Sequence, residues 1–383
     1  MSTDSDRIDG ILQAQLADSV DTIGHSASAS AIQFTARTLD ERGFEFAGGT
    51  TRFDPRGRPV TASTQFDLAS LTKPLVISIL YMQAVDQGLI EWDTRLAEVL
   101  EPWPSGGARG EITFDHLLSH RSGLPAWRPV HQWYDLNPTA AQVRRAQESL
   151  IADLADVELE AVPGSREVYS DLGYMLLGRA LVVLFGSASD EASRLGRIAR
   201  RRIFDPLGLA SLEYHPEDRL GIPATEIDEL RGLVQGTVHD RNAEALGGVV
   251  GHTGLFGHMN DVAELGAHLL GISKGEIDDG IVSPSALRHS WGDNQSPRSD
   301  GHHTPGWDTP SGEASSAGGH MAAHRTVGHL GFTGTSIWID RDLGMVAVLL
   351  TNRTYPNRDN ERIDRLRIDV HEAAAVALNP SSS

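Results

Sequence analysis

Cysteine is absent from the chain, which removes disulfides, thiolate nucleophiles and cysteine-ligated zinc from consideration. Lysine is almost absent: of the 33 basic residues only Lys73 and Lys274 are lysines, leaving 31 arginines. Positive charge is scarce overall, and the net charge of −19 argues against a nucleic-acid partner, which would need a basic face. Anionic membrane surfaces are disfavoured for the same reason. No apolar run has the length of a membrane span, and the longest candidate, Gly173 to Gly186, is broken by Arg179. The first thirty residues carry neither a basic lead-in nor an apolar core of signal-peptide length. The expectation is a soluble, cytoplasmic protein whose partner is a small molecule, with its oligomeric state left open.

What is present is an ordinary globular composition, 40% hydrophobic and 22% charged over 383 residues, enough chain for a large core. The patterning predicts an amphipathic helix over about Arg7 to Val20, then strands at Ala31 to Arg37 and Phe44 to Gly48. The segment Ser70 to Gly88 reads as a helix with so many apolar positions that it should be buried on most sides. From about Ile90 to Asp240 the pattern is helical with few strand signals. Strands return at Thr335 to Asp340 and Met345 to Thr351, and a helix from Asn360 to Leu378 closes the chain. Strands at both ends of a helical middle predict an α+β fold: an antiparallel sheet flanked by helices, with a mostly helical insertion. The expected division is 1–89 and 246–383 for the two parts of the α/β region and 90–245 for the helical one. Ser296 to Gly319, rich in Ser, Gly, Pro and His, reads as an exposed loop.

Against this background the placement of Lys73 is informative. It stands three residues after Ser70, so a helix start would put both side chains on one face. A guanidinium is never deprotonated in a protein, whereas an amine can be, and a retained lysine beside a serine suggests a proton acceptor beside a nucleophile. Burial and the helix N-terminal field should both disfavour the protonated amine. Tyr169-Ser170-Asp171, just before an apolar helix, offers a phenol that can shuttle a proton; read alone, it is a packed tyrosine with Asp171 as an N-cap. His329-Leu330-Gly331, followed by Phe332, offers a polar-x-Gly step on an edge strand, where a substrate backbone can approach and the following amide can serve an oxyanion.

In this order the three elements resemble the serine β-lactamase and penicillin-binding-protein superfamily, with its Ser-x-x-Lys, Tyr-x-Asn and Lys- or His-Thr-Gly motifs. The class C-like branch, with its esterases, D-amino-acid peptidases and amidases, is the most similar. His116-Leu117-Leu118-Ser119-His120-Arg121-Ser122-Gly123-Leu124-Pro125 looks like a recurring segment of that branch. Val238 to Ala243, Gly247 to Phe256, Gly328 to Asp340 and Thr351 to Arg353 resemble a subgroup associated with muropeptide recycling. The resemblance implies Ser70, Lys73 and Tyr169 as catalytic residues. It implies Asp171, His329, Gly331 and Phe332 as substrate or oxyanion contacts, with the amides of Ser70 and Phe332 forming the oxyanion hole, and it implies no cofactor. Two departures stand out: Asp171 replaces the usual Asn, and Leu330 the usual Thr. The second removes a hydroxyl that would bind a substrate carboxylate, and His329 is a weaker cation than lysine at neutral pH. Both weaken the case for efficient β-lactam hydrolysis.

Other matches are weaker. Gly271-Ile272-Ser273-Lys274-Gly275 fits a nucleophile-elbow pattern but follows a helix rather than a strand. Tyr355-Pro356-Asn357 reads as a loop. His252-Thr253-Gly254 rivals His329 for the third motif, although the paired strands that follow His329 favour the latter. His116/His120 and His320/His324 have an i, i+4 spacing open to zinc, but satisfied or exposed histidines are the better reading, and no metal is expected. The predicted function is therefore a serine hydrolase acting through an acyl-enzyme on an amide or ester, such as a muropeptide or small ester. The alternatives are a β-lactamase or D,D-peptidase activity, or a catalytically silent binding homologue.

Overall fold

The computed structural model describes residues 2–135, 138–186, 194–293, 301–312, 315–321 and 325–379. Five strands, β1 (Ala31–Thr38), β2 (Gly43–Gly49), β3 (Thr326–Leu330), β4 (Ser336–Asp340) and β5 (Met345–Thr351), form one antiparallel sheet in the order β2-β1-β5-β4-β3. The first and last strands of the chain thus meet at its centre, with Ile32 opposite Thr351 and Thr38 opposite Met345. The helices that position the site are α1 (Ser2–Gln13), α2 (Ile79–Asp86), α3 (Asp171–Phe185), α4 (Met259–Lys274) and α5 (Arg362–Leu378).

The period-two alternation of a strand sends neighbouring side chains to opposite faces, and β5 shows why its sequence is apolar throughout. Val346, Val348 and Leu350 enter the larger core, which includes Leu265 and Leu269 of α4. Met345, Ala347 and Leu349 enter a second core with Ile8 and Leu12 of α1 and Leu366 and Val370 of α5. A central strand covered on both faces cannot carry polar alternation. Each fully buried aliphatic side chain contributes about 1.5–3 kcal/mol, so burial on both faces makes β5 the most heavily anchored segment of the sheet.

The α+β expectation and the strand positions agree with the structure to within one or two residues. The first helix ends earlier than its periodicity suggested. Leu16 and Ala17 leave it for extended backbone, where the Ala17 amide donates to the Ala29 carbonyl and Leu16 packs on the second core. The structure also holds short strands, in and beside the helical middle, that the sequence reading missed. Phe66–Asp67, Leu255–Gly257 and Glu213–Tyr214 form a three-stranded ribbon, and Glu226–Asp228 pairs with Gly232–Val234. Strands of two or three residues are too short to display a period. Ser296 to Gly319 is not simply an exposed loop. Within its described residues Trp307 is fully buried, and Asp308 exchanges backbone hydrogen bonds with Gly328 of β3. Residues 296–300 and 313–314 lie outside the described residues, as does His324 of the second histidine pair.

Helix α4 lies close against the sheet because Gly266 has no side chain. A Cβ there would meet Val346 Cγ1 at 2.8 Å and Ile337 Cδ1 at 3.2 Å. Replacing a helix-interior glycine ordinarily stabilises by up to about 1 kcal/mol, but overpacking a core costs about 1–3 kcal/mol. Gly266→Val adds two further methyl groups, so the steric term wins. Chemical denaturation should show a loss of about 1–3 kcal/mol, and an unchanged midpoint would contradict this packing.

Candidate active site

Ser70 is held by a turn fixed from three directions. The strand Phe66–Asp67 pairs with Leu255–Gly257, and the buried Asp67 carboxylate accepts from the amides of Ala69 (2.9 Å) and His239 (2.7 Å). After β3, Thr333 Oγ1 donates to the Asp67 carbonyl and Thr335 Oγ1 to the Leu68 carbonyl, at 2.8 and 3.0 Å. Ala69 is thereby kept at φ +48°, a left-handed conformation that costs a non-glycine residue energy and persists only where neighbours impose it. The segment that follows is not the regular helix the sequence suggested. Ala69–Leu71 forms a 3₁₀ turn and Lys73–Ser78 a π-helical stretch before α2 begins. Pro74 has no N–H to give the Ser70 carbonyl four residues back, so an α-helical ladder cannot start there.

Lys73 is fully buried. Its Nζ donates to Ser70 Oγ at 2.8 Å, to Asp171 Oδ1 at 2.8 Å and to the His252 carbonyl at 3.0 Å. All three protons of an ammonium are placed. Burial alone would push the pKa of Lys73 down, but the Asp171 carboxylate and the Tyr169 oxygen together outweigh it, and Lys73 sits above its ordinary value. The expectation of a depressed lysine is therefore corrected, because the carboxylate that replaces the usual amide holds the proton on. The Tyr169 phenol lies beside Lys73, whose Nζ is 4.9 Å from the ring centroid; burial pushes its pKa up, against the pull of Lys73. The resting site thus combines a protonated lysine, a neutral phenol and a neutral serine.

Tyr169 and Asp171 are positioned by the segment His116 to Pro125. Ser170, rather than Asp171, caps α3, its Oγ accepting from the Gly173 amide. The same hydroxyl donates to the Pro125 carbonyl at 2.7 Å, and the Ser170 amide donates to His120 Nδ1 at 2.9 Å. Asp171 is left free to face Lys73. His120 lies beyond the short helix Phe114–Leu118 at φ +56°, so it does not share a helix face with His116.

His329 and Leu330 end edge strand β3. Burial pushes the pKa of His329 well below the usual histidine range, so it is neutral rather than a weak cation. Leu330 packs on the second core. The Gly331 amide is taken by the Thr335 carbonyl (2.8 Å). What this glycine provides is room: a Cβ would meet Thr335 Oγ1 at 1.9 Å and the Leu68 carbonyl at 2.8 Å. Phe332 is half-exposed, stacked on His239 and covered by the Arg353 guanidinium. Both rival histidines belong to the site, since His252 contributes its carbonyl to Lys73 and its ring pairs with Asp240. Ser273 lies in the last turn of α4 with its hydroxyl on the Leu270 carbonyl.

A cavity of about 910 Å³ joins these groups, lined among others by Ser70, Tyr169, Asp171, His303, His329 and Arg353, within the size range of small-molecule sites. Two contributors were invisible in the sequence. His303 comes from the stretch read as a loop, and it is bound by Glu167 through both its ring and its amide, at 2.7 and 3.0 Å. The two are 136 residues apart, and no local pattern links them.

The family profile described as Beta-lactamase matches residues 41–372. A curated relative from Salmonella enteritidis, described as "Putative D-alanyl-D-alanine carboxypeptidase", is 28% identical over 331 residues, covering 79% of this chain and 73% of its own. Among solved structures, EstCE1, described as a hydrolase with promiscuous acyltransferase activity, superposes with a TM-score of 0.71 at 21% identity over 98% of this chain and 99% of its own. Simvastatin synthase from Aspergillus terreus gives 0.69 at 17% identity, over 98% and 96%. No helix among the described residues is long and apolar enough to cross a membrane. Fold, nucleophile geometry and sequence match converge: the chain belongs to the beta-lactamase family and is a serine hydrolase of that type.

Proposed function

We propose that the protein cleaves an amide or ester through an acyl-enzyme on Ser70, and that its substrate is a cell-wall-derived muropeptide or a small ester. The observation that carries this reading is the 2.8 Å contact between Ser70 Oγ and the buried Nζ of Lys73. Lys73 enters as an ammonium bonded to Asp171. As Ser70 attacks, Lys73 passes one proton to Asp171 and takes the serine's, so no isolated charge forms in the buried site. Tyr169, beside Lys73 and in the same cavity as Ser70, hands its proton to the leaving group and is reprotonated by Lys73, which takes back the proton held by Asp171. The amides of Ser70 and Phe332 serve the oxyanion.

Substrate choice follows from the third motif. With His329 neutral and an apolar, partly buried Leu330 on the cavity wall, that strand has neither the cation nor the hydroxyl that a β-lactam carboxylate would use, which supports esters and muramyl amides over penicillins. Positive charge comes instead from Arg353 and Arg358 on the same cavity wall. The segment resembling the muropeptide-recycling subgroup supplies His239, Asp240, Asn242 and His252 to the lining. The similarity to a putative D-alanyl-D-alanine carboxypeptidase and to a hydrolase with promiscuous acyltransferase activity supports the acyl-transfer part of this reading.

A fluorophosphonate probe should therefore add a single label, on the peptide containing Ser70, and abolish hydrolysis of p-nitrophenyl esters or muramyl-peptides. Labelling at Ser273, or none on folded protein, would overturn the assignment. The ionisation of Lys73 is separately measurable because the chain has only two lysines. With ¹³Cε-lysine, NMR should show two resonances, assigned by Lys274→Arg, and that of Lys73 should titrate above its ordinary value. Asp171→Asn removes the largest of the causes that raise it, so the midpoint should move down. A midpoint indifferent to the substitution would mean that Asp171 does not hold the proton on Lys73.

A further inference from the structure

Three histidines that the acylation chemistry does not use surround the ring of Tyr169. His120, His303 and His329 lie with ring centroids 4.3, 5.4 and 6.0 Å from it, and one ring nitrogen of each lies within 4.8 Å of the others. Three imidazoles so close could hold a metal ion, and their hydrogen bonds decide against it. His329 Nδ1 faces the Leu330 carbonyl at 2.8 Å, so the proton is on Nδ1 and Nε2 carries a lone pair. His303 Nδ1 faces Glu167, whose hydrogen bonds from His303 keep its pKa low despite burial, so the proton is on Nδ1 and the neutral ring carries its lone pair on Nε2. His120 is the reverse. Its Nδ1 accepts from the Ser170 amide, which places the proton on Nε2.

The cluster therefore presents one N–H donor and two lone pairs. A metal ion needs three lone pairs, and turning His120 to supply one would orphan the buried Ser170 amide. A water molecule matches the pattern, accepting from His120 and donating to His303 and His329. Nε2 of His120 and Nε2 of His329 are both buried and have no partner among the described residues, so each needs such a molecule. His303 and His329 also line the cavity that contains Ser70, and the Tyr169 they pack against lines it too.

We propose that His120, His303 and His329 hold the water that hydrolyses the acyl-enzyme, with His303 Nε2 as its proton acceptor and Glu167 as the positioning residue. This rests on the acyl-enzyme reading above. The water oxygen bonds to the acyl carbonyl carbon while one water proton passes to His303 Nε2, and the imidazolium is stabilised by the Glu167 carboxylate. As the bond from that carbon to Ser70 Oγ breaks, the proton returns from His303 through the Tyr169 hydroxyl to Oγ. The product leaves as the acid, and the proton count of the site is unchanged.

The test separates acylation from deacylation in the full-length protein, using a p-nitrophenyl ester in stopped flow with intact-mass detection. In His303→Gln, kcat should fall by about 10²–10⁴-fold, the range for loss of a general base. A stoichiometric burst and an acyl adduct on Ser70 should appear, while the rate of fluorophosphonate labelling stays that of wild type. Glu167→Gln should shift the same quantities in the same direction by less. Turnover within about threefold of wild type in both variants would overturn the proposal. So would labelling that falls in step with turnover, or wild-type activity lost to a chelator and restored by zinc. Failure of the acyl-enzyme reading itself would look different, since wild type would then show neither label nor adduct on Ser70.

Discussion

The arrangement depends on one buried ammonium. Taking an isolated charge out of water costs several kcal/mol even after relaxation, so Lys73 is tolerable only where each of its protons finds an acceptor. Its three acceptors come from residues 70, 171 and 252, which lie far apart in the chain and belong to a strained turn, a helix start and a ribbon loop. Satisfying one side chain therefore fixes the relative position of three structural units. A point charge on a flexible stem can meet three such acceptors, and unlike arginine it can also release a proton.

The surrounding structure holds this point in place. The sheet is anchored by β5, buried on both faces, and its edge strand delivers the turn at Thr333 and Thr335 whose hydroxyls bind the carbonyls before Ser70. The buried Arg367 of α5 donates to the carbonyls of Gly331 and Thr335, bracing the same turn from the C-terminal helix. On the opposite wall the His116 to Pro125 segment sets Tyr169 and Asp171 through the backbone and hydroxyl of Ser170. Of the four non-glycine residues at positive φ among the described residues, Ala69 and His120 sit in these two clamps, while Glu41 and His215 lie elsewhere.

The sequence made the local features legible and left the distant ones hidden. Ser70 with Lys73, Tyr169 with Asp171 and the His329 strand end are each compact patterns, and the long strands announced themselves by periodicity. The short ribbon pairing Asp67 with Phe256 did not, because its strands are too short for a pattern and its partners are distant. His303 was hidden in a segment whose Ser, Gly, Pro and His content says turn rather than site, and Glu167 because its partner lies 136 residues away. The ionisation of Lys73 was misjudged because burial can be read from a sequence, whereas the distance to a counter-ion 98 residues away cannot.

The central claim is that Lys73 must give up and regain a proton, rather than merely supply charge. Lys73→Arg tests it most directly, because arginine keeps the positive charge but stays protonated above a pKa of ~12. With the fold intact by circular dichroism, the rate of ester hydrolysis should fall by about 10²–10⁴-fold. Hydrolysis within a few-fold of wild type would contradict the account and leave Lys73 a structural counter-ion to Asp171.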